Sequence, residues 1–128
     1  MTKIKFILLF WVVITSTIHS YAQKDWVKEH AFAAKENAVW MSDLIGNLFV
    51  AQDDVLIKYD TNNVILFSES IKSLGKIKSI SQVNSMQIML FSEEQQSVLI
   101  LDNALSSRQT IDLSSLDFGF VTMIAPSG

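Results

Sequence analysis

Short apolar runs separated by turn residues recur along most of this chain. The runs are rich in Val, Ile, Leu and Phe, and Asp, Asn, Ser or Gln bound them. Because helices need longer periodic windows, the pattern predicts β-strands. We expect six or seven strands, at 48–51, 55–59, 64–67, 87–91, 97–101, 110–113 and 120–124. The strands follow one another through short connections, so the predicted fold is all-β and built from antiparallel meanders.

The strand pattern also repeats itself along the chain. Tyr59-Asp60 aligns with Leu101-Asp102 at an offset of 42 residues, whereas 48–50 aligns with 88–90 at an offset of 40. The two-residue difference then falls in one hairpin loop. A period of about 40 to 45 residues with several strands per unit is typical of a β-propeller blade. The sequence therefore predicts about two blades of an incomplete β-propeller in residues 43–128, truncated at the C-terminus because nothing after Ala125 would close a ring.

Two stretches carry a resemblance to known proteins: DLIGNLFVAQDDVLIKYDTNNVILF, from Asp43, and NSMQIMLFSEEQQSVLILDNALSSRQTIDL, from Asn84. Over residues 43–124 the chain resembles secreted bacterial β-propeller-like proteins, most of which have no characterised function. The resemblance implies the fold and brings no catalytic residues with it. Members of the group continue into further blades, whereas this sequence stops at Gly128. The matching residues are Asp43, Gly46, Asn47, Phe49, Lys58, Tyr59, Asp60, Leu101, Asp102, Asn103 and Leu105.

The N-terminus has the features of an export signal. Lys3 and Lys5 precede an apolar run at 6–14, and Ser20-Tyr21-Ala22 places small residues where signal peptidase cleaves. The run is shorter than the roughly 20 residues of a membrane-crossing helix. We therefore predict a signal-peptide helix over residues 1–22 that is removed before Gln23, and the alternative is an uncleaved N-terminal anchor. The protein is then exported to the periplasm, the outer surface or the medium, and it meets the membrane only transiently through its signal peptide.

The connecting segment, residues 23–42, is read as a short helix or as irregular structure. Val27, Ala31, Ala34 and Ala38 lie at helical spacing. The segment also contains three large aromatic residues, which we expect to pack in the core or between blades, with a sugar-stacking platform as the alternative. These are Trp26, Phe32 and Trp40.

Charge and cysteine content exclude two classes of protein. After removal of Lys3 and Lys5, eight Lys and Arg residues remain against thirteen Asp and Glu residues, a formal net charge of −5. This acidic balance gives no basic surface for nucleic acid. The sequence contains no Cys, so neither a lipid-anchored cysteine nor a disulfide is expected.

The sequence offers no catalytic, cofactor-binding or metal-binding set. His30 is the single histidine after residue 22, so a zinc site is not expected. The glycines are isolated, which excludes a dinucleotide fingerprint or a phosphate loop. No Gly-x-Ser-x-Gly elbow is present and His30 is interpreted as a surface or packing residue, so no serine triad is predicted.

Acidic and basic clusters leave alternatives open. The acidic pairs at 53–54 and 93–94 are interpreted as solvated hairpin tips rather than as the acid and base of a glycosidase. A catalytic pair needs two different environments that separate the pKa values of its carboxyl groups, whereas equivalent hairpin tips lie in similar surroundings. Residues 60–63, Asp-Thr-Asn-Asn, begin like a calcium loop but lack its Gly and terminal Glu, so a turn is favoured, with Asp102-Asn103 as its equivalent. Lys72, Lys76 and Lys78 are read as a solvated face, with an anion-binding patch as the alternative.

Together these features predict an exported, non-enzymatic β-propeller-like interaction or scaffold module. The alternative is the N-terminal fragment of a glycan-active or other hydrolytic secreted propeller whose catalytic residues lie outside this chain. The expected partner is a protein, either a second copy or a cell-envelope component, bound through the open sheet edge at 121–124.

Overall fold

The computed structural model describes residues 31–127. In that part of the chain eight strands form two sheets, and a single 3₁₀ turn follows each sheet, at Lys72–Leu74 and at Leu113–Ser115. The strands are β1 (Val39–Ser42), β2 (Leu48–Gln52), β3 (Val55–Tyr59), β4 (Ile65–Ser70), β5 (Ser79–Asn84), β6 (Gln87–Ser92), β7 (Ser97–Asp102) and β8 (Ser107–Asp112). The predicted signal peptide and residues 23–30 lie outside the described residues.

Each sheet is an antiparallel meander in which every strand pairs with the next strand of the chain. The first sheet has the order β1-β2-β3-β4, and the second sheet has the order β5-β6-β7-β8. The prediction of an all-β fold made of antiparallel meanders is confirmed. Short connections explain the topology, because an antiparallel neighbour needs only a tight turn whereas a parallel neighbour needs a long crossover.

Both sheets contain the same irregularity in the last strand pair of the meander, β3–β4 and β7–β8. The register shifts between Lys58 and Tyr59 in the first sheet and between Ile100 and Leu101 in the second sheet. Each shift leaves one extra residue in the last strand of its sheet, Leu66 in β4 and Arg108 in β8. Such a bulge increases the local twist of the edge strand.

The main core lies between the two sheets. Alternate residues of a strand point to opposite faces, so one face of each central strand supplies the core. Leu56 of β3 and Leu90 of β6 are both 0% exposed. At one edge of the stack, β1 lies against β5. The buried residues of this core are Phe49, Ala51, Leu56, Ile71, Leu74, Ile77, Ile80, Ile88, Leu90, Leu101 and Leu105.

A second, smaller cluster covers the outer face of the second sheet. Phe91, Val98 and Leu113 are its buried members, and Val121 and Ile124 from the C-terminal segment pack against them. The predicted strand at 120–124 is wrong as a strand, because these residues pair with no other strand within the described part of the chain. They cover the sheet through side chains instead.

The segment before the first sheet also differs from the prediction. Residues 31–37 form no helix and end in a turn in which the Ala38 amide donates to the Lys35 carbonyl at 3.0 Å. Trp40 was expected to be packed but is 66% exposed on β1. Nowhere in residues 31–127 is there a helix with the length and apolar character needed to cross a bilayer.

Candidate functional site

The turn at Asp60 joins β3 to β4 and was the strongest calcium candidate. One carboxylate oxygen of Asp60, Oδ1, accepts hydrogen bonds from the amides of Asn62 and Val64, both at 2.8 Å. Asn63 adopts a positive φ of 62°, which asparagine tolerates better than most residues. The side chain therefore closes its own turn, and the geometry supports the turn interpretation.

The same turn recurs between β7 and β8. Oδ1 of Asp102 accepts from the amides of Ala104 and Ser106, both at 2.9 Å, and Leu105 has a positive φ of 63°. The predicted equivalence of Asp60 and Asp102 is confirmed at this level. Leu105 takes a conformation that is unfavourable for a branched apolar residue, and its side chain is 1% exposed in the core. Burial of Leu105 offsets the strain of its backbone.

A third example, between β1 and β2, was not predicted. Oδ1 of Asp43 accepts from the amides of Ile45 at 3.0 Å and Asn47 at 2.8 Å, and Gly46 supplies the positive φ of 89°. A Cβ on residue 46 would lie 3.0 Å from Cγ2 of Thr61, so a larger residue would also require the exposed Thr61 side chain to shift by a few tenths of an ångström. The spacing of Asp and Gly in the sequence was the signal that could have revealed this turn.

Asp102 has a further partner, because its Oδ2 is ion-paired with Arg108 at the bulge of β8. The pKa of the Asp102 carboxyl lies below its ordinary value. The main cause is the hydrogen bond from the Ser106 amide, to which Arg108 and Ala104 add, against partial desolvation. The pKa of Asp112 is also lowered, chiefly by the hydrogen bond from the Ser114 hydroxyl. These shifts arise from turn and cap geometry rather than from a catalytic arrangement.

The opposite end of the sheets carries the acidic hairpin tips. Asp53 and Asp54 form a two-residue turn with φ values of 49° and 65°, and Asp53 is ion-paired with Lys35. In the second sheet the corresponding loop has four residues, 93–96, and Glu93 is ion-paired with Lys78. The two-residue length difference lies in this hairpin loop, as predicted.

Two open clefts of about 310 and 330 Å³ lie beside these tips. Asp53 and Asp54 line one cleft, Glu93 and Glu94 line the other, and Lys76 lines both. A glycosidase acid lies in a largely apolar environment, whereas one carboxylate of each pair faces a lysine. Each cleft is therefore lined by carboxylates together with a lysine, an arrangement that suits weak polar contacts rather than the acid and base of a glycosidase.

The predicted lysine group does not act as one unit. Lys72, Lys76 and Lys78 are all exposed, but Lys78 is engaged with Glu93. Mixed charge of this kind is typical of a solvated face, which was the favoured interpretation.

Lys58 of β3 was overlooked as a structural residue. It is 4% exposed, and its ammonium Nζ donates to the carbonyl and to the side-chain oxygen of Asn103, at 3.0 and 2.9 Å. The ammonium also lies 5.1 Å from the centre of the Phe49 ring and 5.9 Å from that of Phe67. Lys58 therefore joins the first sheet to a turn of the second sheet through a buried, oriented contact.

The aromatic residues of the connecting segment are not gathered into a platform within the described residues. Phe32 packs edge to face on Tyr59, with ring centres 5.0 Å apart, while Trp40 is largely exposed. Trp26 and His30 lie outside the described residues. In residues 31–127 no group of His, Cys, Asp or Glu has the geometry to hold a metal ion.

Comparison with known proteins gives no assignment: no protein-family model, no curated protein and no solved structure matches this chain.

Proposed function

We propose that this protein is an exported interaction or scaffold module built from two blades of a β-propeller-like fold. The two meanders have the same strand order and carry their bulges 42 residues apart in sequence, at Leu66 and Arg108. The contact between β1 and β5 supports a radial arrangement in which the first strand of each blade is innermost.

The observation that carries the proposal is the apolar character of both faces of the second sheet. One face packs on the first sheet, while Phe91 and Val98 lie on the other face, under Val121 and Ile124. A blade needs neighbours on both sides, because one four-stranded sheet cannot bury two apolar faces alone. A sheet at the end of a two-layer sandwich would instead have a polar outer face.

A binding role is favoured over catalysis by how the polar groups are used. The carboxylates of Asp43, Asp60 and Asp102 close turns, and those of Asp53 and Glu93 are ion-paired. Large apolar side chains remain exposed instead, including Trp40 on β1. Aromatic residues such as tryptophan are enriched at protein–protein interfaces, so the proposal places the contact at Trp40.

Site-specific photo-crosslinking in the exporting cell tests the interaction role. A photoreactive phenylalanine analogue at Trp40 is expected to capture one defined protein, and the same analogue at exposed Glu94 is the control. Identical, diffuse labelling from both positions would contradict a specific partner at β1.

Export is tested separately by the mass of the mature protein. Cleavage after Ala22 predicts a chain that begins at Gln23 in the exported fraction. Material that still begins at Met1 would show an anchored protein instead.

A further inference from the structure

A larger cleft lies at the end of the second sheet that is opposite the acidic tips. It opens between the β5–β6 hairpin and the turn from β7 to β8, and we call it the hairpin–turn cleft. Its volume of about 710 Å³ is more than twice that of either cleft beside the acidic tips. Pockets of about 300–1,000 Å³ hold small molecules in proteins. Its lining includes Asn84, Met86, Gln87, Asp102, Asn103 and Arg108.

The polar groups on the turn side of the cleft are fixed in position. Asp102 is held by two backbone amides of its own turn, which donate to Oδ1. The side-chain oxygen of Asn103 accepts from the buried ammonium of Lys58 at 2.9 Å, and its Nδ2 donates to the Ser85 carbonyl at 3.4 Å. Groups that are oriented before a ligand arrives lose little conformational entropy when it binds.

The hairpin side of the cleft offers an amide and an apolar side chain. Oδ1 of Asn84 accepts from the amide of Met86 at 2.8 Å, and its Nδ2 donates to Oε1 of Gln87 at 2.9 Å. Because this contact uses the oxygen of Gln87, the NH₂ group of Gln87 stays available as a donor. Met86 is 63% exposed and adds apolar surface beside these amides.

The cleft contains one charge of each sign. Arg108 is ion-paired with Oδ2 of Asp102 through a single nitrogen, Nη2, and its side chain is 60% exposed. A guanidinium has further N–H donors in the same plane, so Arg108 can pair with Asp102 and donate to a ligand together. Among the described residues that line the cleft, only these two are charged. The cleft therefore offers donors and acceptors without a net charge that would attract an ion.

The corresponding part of the first sheet uses different side chains. Asn47, which aligns with Gln87 at the offset of 40 residues, is 8% exposed and donates its side-chain amide to Asp43. The bulge residue is Leu66 instead of Arg108. The donors of the hairpin–turn cleft are therefore features of the second sheet and do not follow from the shared backbone.

We propose that the hairpin–turn cleft binds a neutral carbohydrate. Each hydroxyl of a sugar both donates and accepts, so neighbouring hydroxyls match a carboxylate, a guanidinium and an amide that lie side by side. The C–H surface of a sugar ring is apolar and matches Met86. A small ion would instead compete with the existing pair between Asp102 and Arg108. The proposal concerns a site that does not include Trp40, so it stands or falls separately from the protein contact proposed at β1.

NMR titration of the isotope-labelled protein tests the proposal, with glucose, galactose and N-acetylglucosamine as probes at up to about 50 mM. The side-chain NH₂ signals of Gln87 and the guanidinium signals of Arg108 are expected to shift. Arg108→Leu copies the bulge residue of the first sheet and should raise the dissociation constant about tenfold, because it removes a charged donor. Gln87→Met removes a neutral donor and should raise it about threefold.

Lys72→Leu is the matched control, because it also removes an exposed positive charge but at a residue outside the lining of the cleft. It should bind the sugars as the unchanged protein does. Circular dichroism and melting temperature show that each variant is folded, and Gln87→Met keeps the test decisive if Arg108→Leu is not. Acetate and glycine are the ionic probes and should bind more weakly than the sugars. No shift with any of the three sugars, tighter binding of acetate or glycine, or sugar binding that Gln87→Met and Arg108→Leu leave unchanged would each overturn the proposal.

Discussion

The first and second sheets have the same strand order and the same bulge, but their turns and contacts use different residues. At positions 42 apart, Lys58 of the first sheet is buried against a turn, whereas Ile100 of the second sheet lies in the outer cluster. The Leu66 bulge is apolar, while the Arg108 bulge is ion-paired with Asp102. A shared backbone therefore tolerates different side-chain solutions, provided that each buried polar group finds a partner.

The largest expected difference is in the loss of stability when the main core and the smaller cluster on the second sheet are each truncated. Leu56→Ala removes a side chain buried between both sheets and should lower the free energy of unfolding by about 2–5 kcal/mol. Val98→Ala, the equivalent change in the outer cluster, should cost about 1–2 kcal/mol, because it removes less apolar volume. Urea denaturation of both variants checks the difference. Equal losses would show that the outer cluster is packed as firmly as the main core.

The second prediction breaks the contact between the sheets. Asn103→Ala removes one acceptor of the buried Lys58 ammonium and should destabilise the protein by about 1.5–3 kcal/mol. Thr61→Ala changes the equivalent, exposed position of the other turn and should have an effect within about 0.5 kcal/mol. Thermal denaturation of the two variants distinguishes them, and similar melting temperatures would mean that the Lys58 contact contributes little.

The third prediction compares two residues with positive φ at equivalent turn positions, Asn63 and Leu105. Asn63→Gly should change stability by no more than about 0.5 kcal/mol, because the site is exposed and glycine accepts the same backbone angles. Leu105→Gly relieves the same strain but empties a buried site, so a net loss of about 1–3 kcal/mol is expected. A stabilised Leu105→Gly protein, measured by urea denaturation, would show that strain outweighs burial there.

The smallest effect is on acid stability. Because the folded-state pKa of Asp102 is lowered from 3.8, its contribution is complete above that pH and is lost as pH falls through the folded pKa. Arg108→Ala should raise the Asp102 titration midpoint in a carboxyl NMR titration while leaving that of Asp112 unchanged. An unchanged Asp102 midpoint would assign the whole shift to the backbone hydrogen bonds.

The sequence revealed the central strands well and the outer strands poorly. β2, β3, β6 and β7 are apolar on at least one buried face, so they were recognisable from composition. β4 and β8 were predicted too short, because they lie at sheet edges and expose almost every residue. β1 and β5 were missed. β1 has only four residues, and β5 is mostly Ser, Gln and Asn with one buried apolar residue, Ile80, so neither has a detectable period.

At the candidate sites, the sequence identified the turn chemistry of Asp60 and Asp102 because turn residues act locally. It did not reveal the Lys58 to Asn103 contact, which joins residues 45 positions apart and depends on how the two sheets stack. Trp40 was misassigned for a related reason, since the face of β1 that it occupies is set by pairing with β2. Long-range partners and the orientation of a short strand are properties of the assembled fold.

The meander topology has a consequence for the order of folding. No two paired residues in either sheet are more than 15 positions apart, as for Val55 with Ser70 and Ser97 with Asp112. Closing such short loops costs little entropy, so each sheet has a low contact order for an all-β structure and can form as its own segment becomes available. Docking of the two sheets through Lys58 and the shared core is then the slower, non-local step. Its kinetic signature would lie in the φ-values of folding kinetics, which are the ratios of the change in folding activation free energy to the change in stability caused by a mutation. These ratios would be near zero at Asn103 and higher inside the β2–β3 hairpin.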